Sequence, residues 1–169
     1  MIRKSMTTMF ALLLLISAGT VFGAELAKEG SGDYRSGKTG TFELLAMGKE
    51  RVQMNFEETG VVVSAPENSP LFNASFRSLG TLHAIKGKWN GSGMVEFTRP
   101  NGDKIYATSE GEGVLGGGPS KSVLKFVGGT GTCTGIEGSM ELGNTPGIKP
   151  SKKGVYNGIS AGKFNWKIP

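Results

Sequence analysis

The chain predicts an all-β fold, a single antiparallel β-barrel of seven or eight strands, and three observations lead there. Glycine is abundant, 28 of 169 residues, and recurs between short apolar runs without a Gly-X-Y period, which excludes collagen and points to many strands joined by turns. Several of those runs alternate apolar and polar residues, the period of a half-buried strand. After the N-terminal segment seven or eight such runs follow, with no convincing helix. An antiparallel meander of this size must hide its edge strands, and closure into a barrel removes them.

Residues 1–23 read as a signal peptide. Arg3 and Lys4 supply the positive start, Phe10 to Ile16 the apolar run, and Ser17 to Ala24 the small residues, with Val21 and Gly23 placed before a cut ahead of Ala24. The run is short of the roughly 20 apolar residues that span a bilayer. Export to a secreted or periplasmic location is the expectation, without stable membrane insertion after processing. Residues 24–40 are polar and glycine-rich and read as a loosely held leader, so the barrel domain is placed at 41–169.

The first strand expected is Arg51 to Phe56, where Val52, Met54 and Phe56 share one face and Arg51, Gln53 and Asn55 the other. A helix from Leu44 to Glu58 is the rival, since Leu, Met, Lys and Glu favour helix; Gly48 and the strict alternation argue against it. Gly60-Val61-Val62-Val63-Ser64 is β-branched and suits a strand. Pro66 and Pro70 bracket a loop. Ser75 to Ile85 is strand-like, and Gly80 in its middle predicts a bulge or bend. Met94 to Thr98 and Lys104 to Thr108 flank Pro100-Asn101-Gly102-Asp103, a hairpin signal because Asn-Gly suits a turn with φ > 0 at both central residues. A two-residue turn would set Phe97 opposite Tyr106. Gly116-Gly117-Gly118-Pro119 is a second break. Ile136, Met140 and Leu142 share a face, as do Phe164, Trp166 and Ile168, against Lys163, Asn165 and Lys167. A Gly-, Pro- and Lys-rich loop runs between them from Gly143 to Gly154.

Phe126-Val127-Gly128-Gly129-Thr130-Gly131, followed by Gly135-Ile136-Glu137-Gly138-Ser139, resembles the allene oxide cyclase-like barrel group, related to dirigent proteins. Those families share a strand, a Gly-Thr-Gly bend and a strand opening with Gly-x-x-Gly. Gly60 to Ser64 leading to Asn73-Ala74-Ser75-Phe76-Arg77-Ser78-Leu79-Gly80-Thr81-Leu82, and the Asn101-Gly102-Asp103-Lys104-Ile105 hairpin, look like exported bacterial members without assigned activity. The likeness covers roughly residues 40 to 168. It implies a calycin-like eight-stranded barrel and a homotrimer. The cyclases' acidic residues align with no position here, so it carries over no catalytic residue.

The composition excludes several function classes. The formal charge is +5, and with Arg3 and Lys4 removed by processing it is mild. The lysines are scattered without interleaved aromatics, so nucleic-acid binding is unsupported. Cys133 is the sole cysteine and cannot form an internal disulfide; on the alternation it points away from Ile136, towards the side of Glu137, and reads as a passive thiol. His83, the sole histidine, lacks partners for a metal site or a base. Glu110 and Glu112 share a strand face and read as solvated charges rather than a calcium pair. Gly128-Gly129-Thr130-Gly131 lacks the Lys-Ser/Thr and the helix of a phosphate loop. Asn73 and Asn90 head glycosylation acceptor triplets, which matter only in a eukaryotic host. No catalytic, cofactor-binding or metal-binding residue is assigned.

The expected function is an exported, non-enzymatic barrel with a small hydrophobic ligand in its lumen or mouth. Phe42, Met54, Phe56, Phe76, Trp89, Phe97, Phe126, Phe164 and Trp166 are candidates to line it, although which face of each strand points inward is not readable. Two alternatives stand beside it: an isomerase or cyclase acting on a hydrophobic, fatty-acid-derived substrate, and a structural or interaction barrel acting through its oligomer surface.

Overall fold

The computed structural model describes residues 24–116, 120–145, 152 and 154–169; the expected signal peptide lies outside the described residues. Eight antiparallel strands close into one barrel in sequence order. They are β1 (Glu29–Ala46), β2 (Arg51–Ser64), β3 (Ser75–Ile85), β4 (Lys88–Thr98), β5 (Lys104–Val114), β6 (Ser120–Gly129), β7 (Glu137–Thr145) and β8 (Val155–Lys167). The β1–β8 pairing, from Glu29 opposite Lys167 to Thr41 opposite Val155, completes the closure. The rival helix at Leu44 to Glu58 is absent, and that stretch forms the end of β1, a turn and most of β2.

The leader expected over 24–40 is a correction. Most of it, from Glu29 onwards, belongs to β1, the longest strand, paired on both sides. Three of its four glycines, Gly30, Gly32 and Gly40, are inner-wall positions covered by rings. A Cβ at Gly30 would lie 2.6 Å from the Trp166 indole, and one at Gly40 would lie 2.6 Å from the Tyr156 ring. Glycine here makes room for an aromatic side chain of the neighbouring strand, so low hydrophobicity in β1 reflects cover rather than looseness.

Gly80 also departs from expectation. Pairing runs through it without a shift on either side, and the ring of Phe56 occupies the place its side chain would take. The register shifts fall elsewhere, between Arg35 and Ser36 and between Tyr106 and Ala107. There Val63 and Val127 are the extra residues, and bulges of this kind bend and twist the strands towards closure. The Asn101-Gly102 hairpin forms with Gly102 at φ 87°, but its connection is longer than two residues, with Thr98 opposite Lys104. Phe97 therefore faces Ile105 and Tyr106 faces Glu96. The aromatic partner of Phe97 is Phe76 on β3, with ring centroids 5.8 Å apart.

Even-numbered residues of β1, β2 and β3 and odd-numbered residues of β4 point inward, as the burial alternation shows. The lower half of the barrel, at the β2–β3, β4–β5 and β6–β7 connections, is filled by Phe76, Phe97, Ile105, Leu124, Phe126, Met140, Phe164 and Trp166. Leu71 of the β2–β3 connection plugs it from below, as do Cys133 and Ile136 of the β6–β7 connection.

Candidate functional site

The upper half of the lumen is open. A cavity of about 520 Å³ reaches from the Phe76–Phe97 floor to the mouth. It exists because inner positions on that side are small: Gly91 on β4, Ser109 and Gly111 on β5, Ser120 and Ser122 on β6 and Gly158 on β8. Trp89 lies across this thin wall, its indole 2.9 Å from where a Gly113 side chain would begin. Phe42, Met54, Phe56, Leu82 and Tyr156 supply the rest of the apolar lining.

Among the predicted lining residues, Phe42, Met54, Phe56 and Trp89 bound the cavity and Phe76 and Phe97 form its floor. Phe126, Phe164 and Trp166 belong to the packed half instead. Ring stacking holds two of these in place: Phe164 and Trp166 have centroids 5.1 Å apart, and the Trp166 Nε1–H donates to the Ala27 carbonyl at 2.9 Å.

A polar cluster interrupts the apolar wall where β1, β2, β7 and β8 meet. Lys38 Nζ lies 3.0 Å from Glu58 Oε1, and it also donates to Asn144 Oδ1 at 3.4 Å. The Tyr156 hydroxyl donates to Glu58 Oε1 at 2.8 Å, and Ser160 Oγ donates to Asn144 Oδ1 at 2.5 Å. Both charged side chains of the pair are largely withdrawn from water, 16% and 15% exposed. Burial, followed by the neighbouring Glu58 carboxylate, pushes the Tyr156 phenol well above its ordinary range. Burial pushes Tyr34 up to about 12, with Glu58 adding to it and the nearby Ser36 hydroxyl opposing. Both phenols therefore stay protonated in ordinary buffers, and that of Tyr156 serves as a neutral donor to Glu58. The Ser36 hydroxyl, buried on the cavity wall, meets no partner in hydrogen-bonding geometry, and such a group is costly unless something answers it.

None of Lys38, Glu58, Asn144, Tyr156 or Ser160 was singled out from the sequence. Lys38 fell in the expected leader, and its direct partners Glu58 and Asn144 lie 20 and 106 positions away. One signal was available: Glu58 continues the inward alternation of Met54 and Phe56, placing a charge on the apolar face of its strand.

The other candidates disperse. Cys133 is fully buried, which corrects the expectation that it points away from Ile136: Gly131–Cys133 is a 3-10 turn, so strand alternation does not apply, and both residues enter the core. Burial raises its thiol above the usual range, which keeps it a protonated, poor nucleophile. His83 stands on the outer wall opposite Gln53 and Asn90. Glu110 and Glu112 are exposed. Among the described residues no three or more His, Cys, Asp or Glu side chains gather to hold a metal ion. The Gly128–Gly131 bend is a structural latch. Thr130 Oγ1 accepts from the Lys104 amide at 2.9 Å, and Asp103 accepts from the Thr132 amide at 2.9 Å. The Thr132 hydroxyl, which also donates to Asp103, then the Thr132 amide, Asn101 and Arg99 hold that carboxyl below its ordinary range.

No protein-family model matches the chain, and no curated protein matches it. Its structure is similar to that of the pterocarpan synthase dirigent protein GePTS1, with a TM-score of 0.49 and 12% sequence identity, over 85% of this chain and 88% of that one. Nothing about activity passes from it to this chain at such identity.

Proposed function

We propose that this protein is an exported, non-enzymatic barrel that takes one small, mainly apolar molecule into the open half of its lumen. The observation that carries the reading is the half-filled barrel. One end is filled by buried core side chains, while the other keeps a cavity of about 520 Å³, within the range of small-molecule sites. Rings and a thioether would cover the ligand's apolar body. The cluster of Lys38, Glu58 and Tyr156 would orient a hydroxyl or carbonyl group, since an ammonium has three N–H donors and Tyr156 spends its proton on Glu58, leaving its oxygen to accept. Ser36 would find its missing partner in the same group. Native mass spectrometry with lipid extraction of the purified protein tests this. One co-purified apolar molecule per subunit is expected, and an empty lumen that also ignores added apolar fluorescent probes would overturn it.

Two observations favour other readings. A carboxylate and a phenol in contact inside an apolar pocket are the parts of a proton-transferring isomerase, and turnover of an epoxy fatty acid above a heat-killed control would raise that reading. On the outer wall the exposed Leu79 and Met94 are cross-strand partners, a patch suited to self-association. Sedimentation of Met94→Lys against the unaltered protein tests a homo-oligomer.

A further inference from the structure

The rim of the open end combines exposed apolar side chains with an excess of cations. Leu45 and Met47 at the β1–β2 connection are 64% and 51% exposed, and Ile85 and Val114 at the next two upper connections are 41% and 43% exposed. Around them stand the exposed Lys49, Arg51, Lys86, Lys88, Lys121 and Lys152, against Glu43, Glu50 and Glu112. Only Lys86 has an acidic partner among these described residues, Glu50 at 3.8 Å. The lower end is charge-balanced by comparison, with Arg99 facing Asp103 and Lys104 facing Glu96. The side wall carries Glu57, Arg77, Lys125, Glu141 and Lys163 along its exposed or half-exposed outer positions, and a wall charged in this way does not enter hydrocarbon.

Aliphatic side chains projecting among unpaired cations are the two signals that together hold a protein on a lipid surface; either alone gives marginal attachment. We propose that the open rim docks on an anionic phospholipid surface. Leu45, Met47, Ile85 and Val114 enter the headgroup boundary, the lysines meet phosphates, and the lumen opens towards the bilayer. The inference stands whether or not the lumen holds a ligand. The occupant is committed by charge: the rim's excess is positive, and another copy of the same rim would meet it with like charge.

Co-sedimentation with vesicles tests this, using phosphatidylcholine alone and phosphatidylcholine with about a quarter phosphatidylglycerol, at low and high salt. Attachment to the anionic vesicles is expected, weakened about tenfold or more by high salt. Leu45→Ser with Met47→Ser should weaken it about tenfold again, while Met94→Ser on the outer wall should leave it unchanged. All chains carry the same residues 1–23, so differences between variants report the rim. If the double variant does not keep its β-sheet circular dichroism, Lys49→Glu with Lys88→Glu makes the same comparison. Failure to sediment with anionic vesicles at low salt, equal binding to neutral ones, or rim variants that bind like the unaltered chain would overturn the proposal. So would self-association without vesicles that the rim substitutions abolish.

Discussion

The two halves of this barrel use the same strands for opposite ends. Below, inward positions carry Phe97, Ile105, Phe126, Met140 and Phe164, and the lumen is solid. Above, the same strands turn inward Gly111, Ser122 and Ser160 beside a few rings, and the lumen is hollow. The lower half therefore supplies most of the burial that stabilises the fold, and the upper half is free to carry groups that cost stability, a desolvated ion pair and an unanswered hydroxyl. Rigid closure below lets a site with polar groups persist above without collapsing onto itself.

Removing Phe97 should separate the halves most sharply. Phe97→Ala empties fully packed space and is expected to cost ~3–5 kcal/mol, read as a large fall in the urea midpoint; a loss below about 1 kcal/mol would mean the lower half is not the stabilising one. In the upper half, Lys38→Met strands the Glu58 carboxylate with only Tyr156 to answer it, and about 2 kcal/mol should be lost, less than for a fully buried pair. Lys38→Met with Glu58→Leu should recover most of that loss, because two apolar side chains replace both charges at once.

Alkaline pH probes the boundary between the halves, where Tyr34 sits. Its folded-state value of about 12 lies above the ordinary 10.0. The folded state thus holds the proton more tightly than the unfolded chain does. Its stabilising contribution is whole below pH 10 and is lost as pH rises towards 12, by about 1 kcal/mol at pH 11. Urea unfolding at pH 9 and pH 11 should show that fall, and it should shrink in Tyr34→Phe. The smallest stability effect belongs to the hollow itself. Ser122→Leu fills cavity space without cutting a hydrogen bond and should change stability by less than about 1 kcal/mol, yet lower apolar-probe affinity about tenfold or more; unchanged probe binding would place the ligand outside the lumen.

Much of the fold was legible because strand alternation is local. Phe164-Asn165-Trp166-Lys167-Ile168 separates into an apolar and a polar face without reference to any other segment, and so does Ile136 through Leu142, although which face points inward waited for the closed barrel. Local reading failed where a residue answers to a partner strand. Gly30 and Gly40 look like parts of a loose leader, and Gly80 like a bulge, until the rings of Trp166, Tyr156 and Phe56 are seen above them. Cys133 was misplaced because a 3-10 turn broke the period that the reading assumed. The aromatic lining of the site was partly visible as residue type, but its division between cavity and core was not, since both halves draw on the same kinds of side chain.

By itself, then, the order of residues determined an all-β chain, the alternation of apolar and polar faces along several strands and the turn at Asn101-Gly102, because backbone conformation and side-chain alternation depend on near neighbours. Tertiary structure alone decided which glycines became cover for rings, that the barrel is solid at one end and open at the other, and that Lys38, Glu58, Asn144 and Tyr156 share one pocket. Those outcomes depend on register across strands remote in sequence, where volume and charge are matched only once the sheet has closed.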